Sequence, residues 1–152
     1  MQLSKNFHLR EFTKSITATR NDISNEPTNN HILNLKSLCV NVLQPLRDKI
    51  GKPIRISSGY RSPALNKFIG GSSRSQHCQG RAVDIEIMIN GVECNEELWN
   101  ILYNSSLIDY DQLINEFDLS WIHISYHDNG NRNEALEAYK DSEGKTRYRK
   151  LK

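Results

Sequence analysis

The sequence predicts an α+β fold in which an antiparallel sheet carries helices on one side. The predicted elements run helix, strand, helix, strand, helix and then two hairpins, so they lack the regular alternation of a parallel α/β fold. With 152 residues, of which 37% are hydrophobic, the chain is large enough to bury a core without disulfides. We therefore expect a single domain over 1–152, with an N-terminal extension at 1–30, a core at 31–127 and a C-terminal hairpin in 128–152.

The first half of the chain predicts one long helix after a polar, turn-rich start. Apolar residues keep helical spacing over about 29–50, where Thr28 can cap the start and Gly51 can end the helix. Pro45 should kink or interrupt this helix, because proline lacks a backbone donor. Short apolar anchors in 1–30 are Leu3, Phe7, Leu9 and Phe12.

Two strands and a short helix follow. The alternating, β-branched pattern at 53–58 predicts a strand, and the sequence RAVDIEIMI at 81–89 predicts another that enters the core. Between them we expect a short helix with Ser62 as its cap and Pro63 at its first position, ending at 70–71.

The second half predicts one more helix and two hairpins. NEELWNILYNSSL is amphipathic and can be capped by Asn95. The segments 110–117 and 120–127 read as strands with a tight connection at Asp118-Leu119, which indicates an antiparallel hairpin. EALEAYK and KTRYRKL flank the turn sequence DSEG and predict the second hairpin.

Composition argues against several classes of protein. A formal net charge of +2 gives no reason to expect a nucleic-acid partner, and the basic end KTRYRKLK is interpreted as a solvated edge. No apolar run approaches the roughly 20 residues of a membrane span, and the first residues lack the apolar stretch of a signal peptide. Cys39, Cys78 and Cys94 cannot all pair and form no C-x-x-C, so neither a disulfide scaffold nor a cysteine zinc site is indicated. We expect a monomer made in the cytoplasm.

Three residues are candidates for a metal site. In the strand WIHIS, side chains alternate, so Ile122 and Ile124 face the core and turn His123 the other way. If that second face lines a cleft beside Asp84, then His77, Asp84 and His123 converge. Two imidazoles and one carboxylate, with a fourth position open, form a catalytic rather than a structural zinc set. The competing interpretation is an ordinary polar loop before a strand.

These residues belong to a longer pattern. SSGYRSPALNKFIGGSSRSQHCQGRAVDI, followed by WIHIS, resembles the zinc-dependent D-Ala-D-Ala carboxypeptidase family of peptidoglycan peptidases, which includes phage endolysins. The shared signature is S-x-H-x-x-G-x-A-x-D plus a downstream histidine after an aromatic residue. The resemblance covers about residues 30–127 and implies the small α+β zinc peptidase fold shared with hedgehog signalling domains. The zinc ligands that it implies, for one Zn²⁺ per chain, are His77, Asp84 and His123.

The resemblance also implies residues that contact substrate. Arg61, in SGYRS, would bind a substrate carboxylate or stabilise the oxyanion, a role that its fixed charge and planar fork suit. Ser75 and Gln76 would lie at the rim and hydrogen-bond the substrate backbone. A surface salt bridge for Arg61 and a turn-capping role for Ser75 are the alternatives.

The general base is where this sequence departs from the family. Members usually carry an acidic residue three positions before the last zinc histidine, and Ser120 occupies that position here. We favour Glu116, which lies across the predicted hairpin in an apolar-rich strand where an unpaired carboxylate would be costly. Asp118, Glu86 or no base at all are the alternatives. His127 would share a face with His123, where it orients a ligand, contacts substrate or is simply exposed.

The sequence thus predicts a zinc metallopeptidase that hydrolyses peptidoglycan stem peptides, as a carboxypeptidase or an endopeptidase. A phage or prophage lysis protein is the context that we expect, acting on the cell wall after release. Because Ser120 cannot act as a base, a non-catalytic zinc module that binds wall peptides or a protein partner is the alternative. A metal-free structural domain is a third hypothesis.

Overall fold

A computed structural model describes residues 1–152 and confirms the α+β class. The helices are α1 (Leu9–Thr13), α2 (Ile16–Arg20), α3 (Asn29–Leu38), α4 (Gln44–Ile50), α5 (Pro63–Phe68) and α6 (Glu96–Asn104). The strands are β1 (Gln2–Ser4), β2 (Phe7–His8), β3 (Arg55–Ser58), β4 (Ala82–Glu86), β5 (Met88–Ile89), β6 (Val92–Glu93), β7 (Gln112–Glu116), β8 (Trp121–Ser125), β9 (Glu134–Lys140) and β10 (Thr146–Lys150).

The main sheet has six strands in the order β10-β9-β7-β8-β4-β3. Both predicted hairpins, β7–β8 and β9–β10, are present and antiparallel. The prediction of a purely antiparallel sheet is wrong at one place, because β9 pairs with β7 in parallel. The chain crosses from the end of β8 to the far side of β7 before β9 begins, and local hairpin signals carry no information about that return.

The two faces of the sheet have different characters. Val83 and Ile85 of β4 lie opposite Ile124 and Ile122 of β8, and all four are fully buried in the hydrophobic core. The same core contains the apolar faces of α3, α4 and α6, so these helices cover one face of the sheet. Side chains at the alternate positions of β4, β7 and β8 point to the opposite face, which is left for the polar residues described below.

The predicted long helix is continuous over 29–50 but changes its hydrogen bonding in the middle. Residues Cys39–Leu43 form a π-helical turn between α3 and α4, and the amide of Gln44 bonds to the carbonyl of Cys39, five residues earlier. This wider turn lies directly before Pro45, whose ring and missing N–H are incompatible with a regular helical bond. By length and apolar character, none of the helices qualifies as a membrane span.

Two local predictions are wrong. The strand expected over 81–89 ends at Glu86, and the following residues turn at Asn90-Gly91, both with positive φ, into the small β5–β6 hairpin. Asn-Gly is a strong hairpin signal that the apolar run had obscured. The side chain of Asn95 does not cap α6; it accepts a hydrogen bond from the Ile87 amide and donates to the Leu119 carbonyl, both at 2.8 Å.

The N-terminal residues pack against the main body. Leu3, Phe7 and Phe12 are buried in the same core as the helices and the sheet. The carbonyl of Phe12 accepts a hydrogen bond of 2.7 Å from the amide of Tyr60, just after β3. This contact is tight enough that a Cβ on Gly59 would lie 2.5 Å from the Phe12 carbonyl oxygen.

Gly80 and Gly51 provide a matched test of how close packing around the polar face affects stability. Both have a left-handed φ, +71° and +68°, but a Cβ on Gly80 would lie 2.5 Å from the His31 carbonyl oxygen, whereas one on Gly51 meets nothing within 4 Å. We expect Gly51→Ala to lower the free energy of unfolding by about 1 kcal/mol through backbone strain. Gly80→Ala should cost about 1–3 kcal/mol more, because the backbone of α3 must also move.

Urea denaturation of the two variants beside the parent protein measures this difference. Equal destabilisation by both substitutions would show that the contact between Gly80 and α3 is not a constraint on the fold.

Candidate metal centre

Three side chains from two strands and one turn meet on the polar face of the sheet. Asp84 of β4 lies directly opposite His123 of β8, and His77 lies on the 3₁₀ turn Gln76–Gln79 that precedes β4. One ligand atom from each residue lies within 4.8 Å of the other two. The sequence-predicted triad is therefore brought together.

The carboxylate of Asp84 lies between the two imidazoles. Its Oδ1 is 3.2 Å from His123 Nδ1 and 3.4 Å from His77 Nε2. Burial alone would raise the pKa of Asp84, but hydrogen bonds from His123 and His77 hold it well below its usual value. Asp84 is thus an ionised, acceptor-only group, which is the form that a metal ligand requires.

A backbone carbonyl orients His77. Its Nδ1 lies 2.8 Å from the carbonyl oxygen of Gly59, and the ring is 3% exposed. Because a carbonyl only accepts, Nδ1 donates to it, and the ring is held with Nε2 toward Asp84 and His123. Metal-binding histidines are commonly fixed by this kind of hydrogen bond from the second ring nitrogen.

The N-terminal residues hold the segment that supplies this carbonyl. The side chain of Asn25 donates to the Tyr60 carbonyl at 3.0 Å and accepts from the Ser62 amide at 2.7 Å. The amide of Arg61, between them, donates to the His77 carbonyl at 3.2 Å. Gly59, Arg61 and His77 are thereby fixed relative to one another through the backbone.

The triad opens into a cleft of about 1060 Å³. The cleft also contains side chains from the 3₁₀ turn, from β7 and from the C-terminal hairpin. Every predicted substrate or catalytic residue lines it, namely Arg61, Ser75, Gln76, Glu116 and His127.

Among the candidate bases, only Glu116 lines this cleft. Asp118 lines a separate cavity beside α6, and Glu86 forms an ion pair of 2.7 Å with Arg55. The hydroxyl of Ser120 donates to the Phe117 carbonyl at 2.8 Å, so it is used within the β7–β8 connection. Geometry therefore favours Glu116 over each alternative.

Glu116 is a buried carboxyl whose pKa is raised above its ordinary value. It is 9% exposed and lies on the same face as His123, two residues along β7 from the position opposite that histidine. Burial raises the pKa of Glu116, while the charge of His123 lowers it and that of Asp84 raises it, with a net increase. A carboxyl with a raised pKa is a better proton acceptor at neutral pH than an exposed one.

Arg61 faces the cleft with unused hydrogen-bonding capacity. Its Nη2 donates to Ser75 Oγ at 3.2 Å, but its buried Nε has no partner. Ser75 also accepts from the His77 amide at 3.3 Å, which is the turn-capping role considered for it. The salt bridge considered for Arg61 does not form.

Gln76, a predicted substrate contact, is held in place by two residues that the sequence analysis did not identify, Asp111 and Arg132. Gln76 donates from Nε2 to Asp111 at 2.8 Å, and Arg132 binds the same carboxylate through Nε and Nη2 at 3.0 and 2.9 Å. The hydrogen bonds from Arg132 lower the pKa of Asp111 to about 2. His127 lies outside the triad, and its Nδ1 accepts from the amide of Asn129. Asp111 and Arg132 are 21 residues apart in the chain, and no local pattern marks them.

The donor set fits zinc. Zinc in catalytic sites binds three protein ligands drawn from histidine and carboxylate and leaves a fourth position for water or substrate. The chemistry of the donor set is the observation that supports this fit: two imidazoles and an ionised carboxylate converge within 4.8 Å, and the Gly59 carbonyl holds the His77 ring so that Nε2 faces the cluster. The residues that would hold the ion are His77, Asp84 and His123.

Comparison with known proteins agrees with this geometry. The sequence profile of the peptidase M15 family matches residues 5–125, which is most of the chain and includes the N-terminal residues that hold Arg61. The zinc D-Ala-D-Ala carboxypeptidase of Streptomyces albus G is 43% identical over 44 residues, 28% of this chain. That alignment spans 17% of the length of the relative. The chain belongs to the peptidase M15 family.

Proposed function

We propose that this protein is a zinc peptidase that hydrolyses peptidoglycan stem peptides. The single observation that carries the proposal is one cleft that contains a His-Asp-His triad, a buried glutamate and an arginine with a free donor. The Streptomyces relative, named for zinc and for D-Ala-D-Ala carboxypeptidase activity, supports both the metal and the substrate class. Action on the wall after release from a cell, as in phage lysis, is the setting that we propose.

The chemistry is divided among the chain's own residues. When bound, Zn²⁺ supplies Lewis acidity and activates water as a nucleophile at neutral pH. Glu116 accepts the proton of the attacking water and returns it to the leaving amine. Arg61 binds a carboxylate of the substrate or the negative charge that develops on the scissile carbonyl oxygen. Ser75 and Gln76, fixed by hydrogen bonds, position the peptide at the rim.

The second candidate is a non-catalytic zinc module that binds wall peptides or a protein partner. The observation that favours it is Ser120, because an acid usually stands at that position in the family. The two candidates differ in what Glu116 does, so the variants below separate them.

Loss of a metal ligand should abolish zinc binding. We expect one zinc per chain in the parent protein and none in His77→Ala or Asp84→Ala, because two ligands do not retain the ion against a chelator. Zinc at about 100 times its dissociation constant should stabilise the parent by about 2.7 kcal/mol, and it should not stabilise the variants. Metal analysis and thermal unfolding with and without zinc measure both effects. A full zinc complement in either variant would contradict the ligand assignment.

Replacement of the proposed base should separate metal binding from catalysis. We expect Glu116→Gln to retain one zinc per chain and to lose about 10²–10⁴-fold in kcat, since proton transfer by a positioned carboxylate contributes that factor. Release of new amine ends from purified peptidoglycan measures the activity.

Asp118→Asn is the matched control, because Asp118 lines a different cavity. Full activity of Glu116→Gln would exclude Glu116 as the base. Zinc-loaded parent protein without any digestion would instead favour the binding module.

A further inference from the structure

The C-terminal hairpin forms one wall of the cleft. Lys140 of β9 and Thr146 and Tyr148 of β10 line the same cavity as the metal triad. These strands lie beyond residues 5–125, which are the part of the chain that matches the family profile. The hairpin therefore adds to the cleft something that the family match does not describe.

The pairing of strands fixes which hairpin side chains face the cleft. Glu116 of β7 lies opposite Ala138 of β9, which in turn lies opposite Tyr148 of β10. Because side chains alternate, Lys140 and its partner Thr146 share this face with Glu116. Arg147 and Arg149 point to the other face.

The cationic side chains on the two faces of the hairpin differ in whether they form ion pairs. On the outer face, Arg147 pairs with Asp141 at 2.9 Å and Arg149 with Glu137 at 3.8 Å. On the cleft face, Lys140 has no carboxylate partner.

Lys140 is nevertheless held in place. Its Nζ donates to Thr146 Oγ1 at 2.7 Å and lies 5.2 Å from the centre of the Phe117 ring. The ammonium group is thus held in place through one of its three N–H donors.

The cleft as a whole has an excess of positive charge. Arg61, Arg74, Arg81 and Lys140 line it without an acidic partner, against the carboxylates of Asp84 and Glu116. A metal ion would increase this excess. An anionic peptide is the occupant that such a cleft favours.

Strand order places Lys140 and Arg61 on opposite sides of the triad. Arg61 follows β3, at one end of the sheet, whereas β9 is separated from β4 by β8 and β7. Neighbouring strands are about 4.8 Å apart, so β9 lies roughly 10 Å from β8. Lys140 also lies four residues along β9 from Leu136, whose row crosses Ile114 to His123, which adds roughly 13 Å along the strand. The Cα atoms of Lys140 and His123 are therefore roughly 16 Å apart; an extended lysine side chain covers roughly 6 Å of this, and an extended peptide covers the rest in about three residues.

We infer that Lys140 binds a carboxylate on the amino-terminal side of the scissile bond, so that the protein selects stem peptides with a free acid there. This inference rests on the proposed function, and specifically on the role in which Arg61 binds the C-terminal carboxylate of the substrate. In a stem peptide ending in D-Ala-D-Ala, the residue at the required distance is the γ-linked D-glutamate, whose α-carboxylate is free in some walls and amidated in others. Thr146 fixes Lys140, and Tyr148 borders the path of the peptide.

The test compares two synthetic pentapeptides, L-Ala-γ-D-Glu-L-Lys-D-Ala-D-Ala, with the glutamate α-carboxyl free or as the carboxamide. Binding to zinc-loaded Glu116→Gln protein is measured by calorimetry, so that cleavage does not interfere. We expect the free acid to bind about threefold to fivefold more tightly, the size of an exposed charge pair. The preference should disappear in the additional variant Lys140→Met and weaken as salt is raised.

Two controls make the result specific. Lys140→Arg keeps the charge and should keep the preference. Lys145→Met removes one charge from the turn of the same hairpin, outside the cleft lining, and should also keep it. Equal binding of the two peptides, no binding of either, or an undiminished preference in Lys140→Met would overturn the inference.

Cleavage by the parent protein is scored separately. Selective binding through Lys140 without hydrolysis of either peptide would sustain the inference and remove the peptidase assignment. Hydrolysis of both peptides at equal rates, with equal binding, would sustain the peptidase assignment and overturn the inference about Lys140.

Discussion

The register of β4 against β8 is the constraint on which the site depends. Val83 and Ile85 are buried opposite Ile124 and Ile122, and in this register Asp84 lies opposite His123 on the other face. Since the side-chain period of a strand is two, a slip of β4 by one residue would turn Asp84 into the core and expose Val83 and Ile85. Asp84 and His123 of the candidate metal centre are therefore aligned by the same strand pairing that buries the core.

The third ligand is positioned by a different means. His77 lies outside the sheet, on a turn that is wedged against α3 at Gly80 and tied to the segment after β3 through the Gly59 carbonyl. That segment is fixed in turn by Phe12 and Asn25, from the first 30 residues. What had looked like an N-terminal extension thus supports the backbone that orients His77 and Arg61. The backbone of Phe12 packs directly against Gly59, where a Cβ would lie 2.5 Å from the Phe12 carbonyl oxygen. A shift of the N-terminal part would therefore also shift the Gly59 carbonyl that orients His77.

The sheet also brings a buried carboxylate, Glu116, to the cleft from a strand next to that of His123. Glu116 lies on β7, the neighbour of β8, and side chains on one face of adjacent strands share the same space, because the strands are only about 4.8 Å apart. Glu116 on β7 faces the triad, while the connection that contains Ser120 is occupied with its own hydrogen bonds. Beyond β7, the parallel strand β9 brings a cation to the cleft. The polar residues of this face thus come from several adjacent strands rather than from one continuous sequence motif.

The sequence alone determined the elements that depend on local pattern: the α+β class, the long helix and both C-terminal hairpins. It also singled out His77, Asp84 and His123 through the family signature, and strand alternation accounted for the facing of His123. It could not determine the parallel pairing of β9 with β7, the Asp111–Arg132 ion pair that anchors Gln76, or the Gly59 carbonyl that orients His77. It favoured Glu116 as the base and kept Asp118 and Glu86 as alternatives; the surroundings that separate them, the cleft beside Glu116, the other cavity beside Asp118 and the ion pair of Glu86 with Arg55, are visible only in the structure. Periodicity and turn signals act over a few residues, whereas these contacts join segments that meet only after the core has formed, and so tertiary structure decided them.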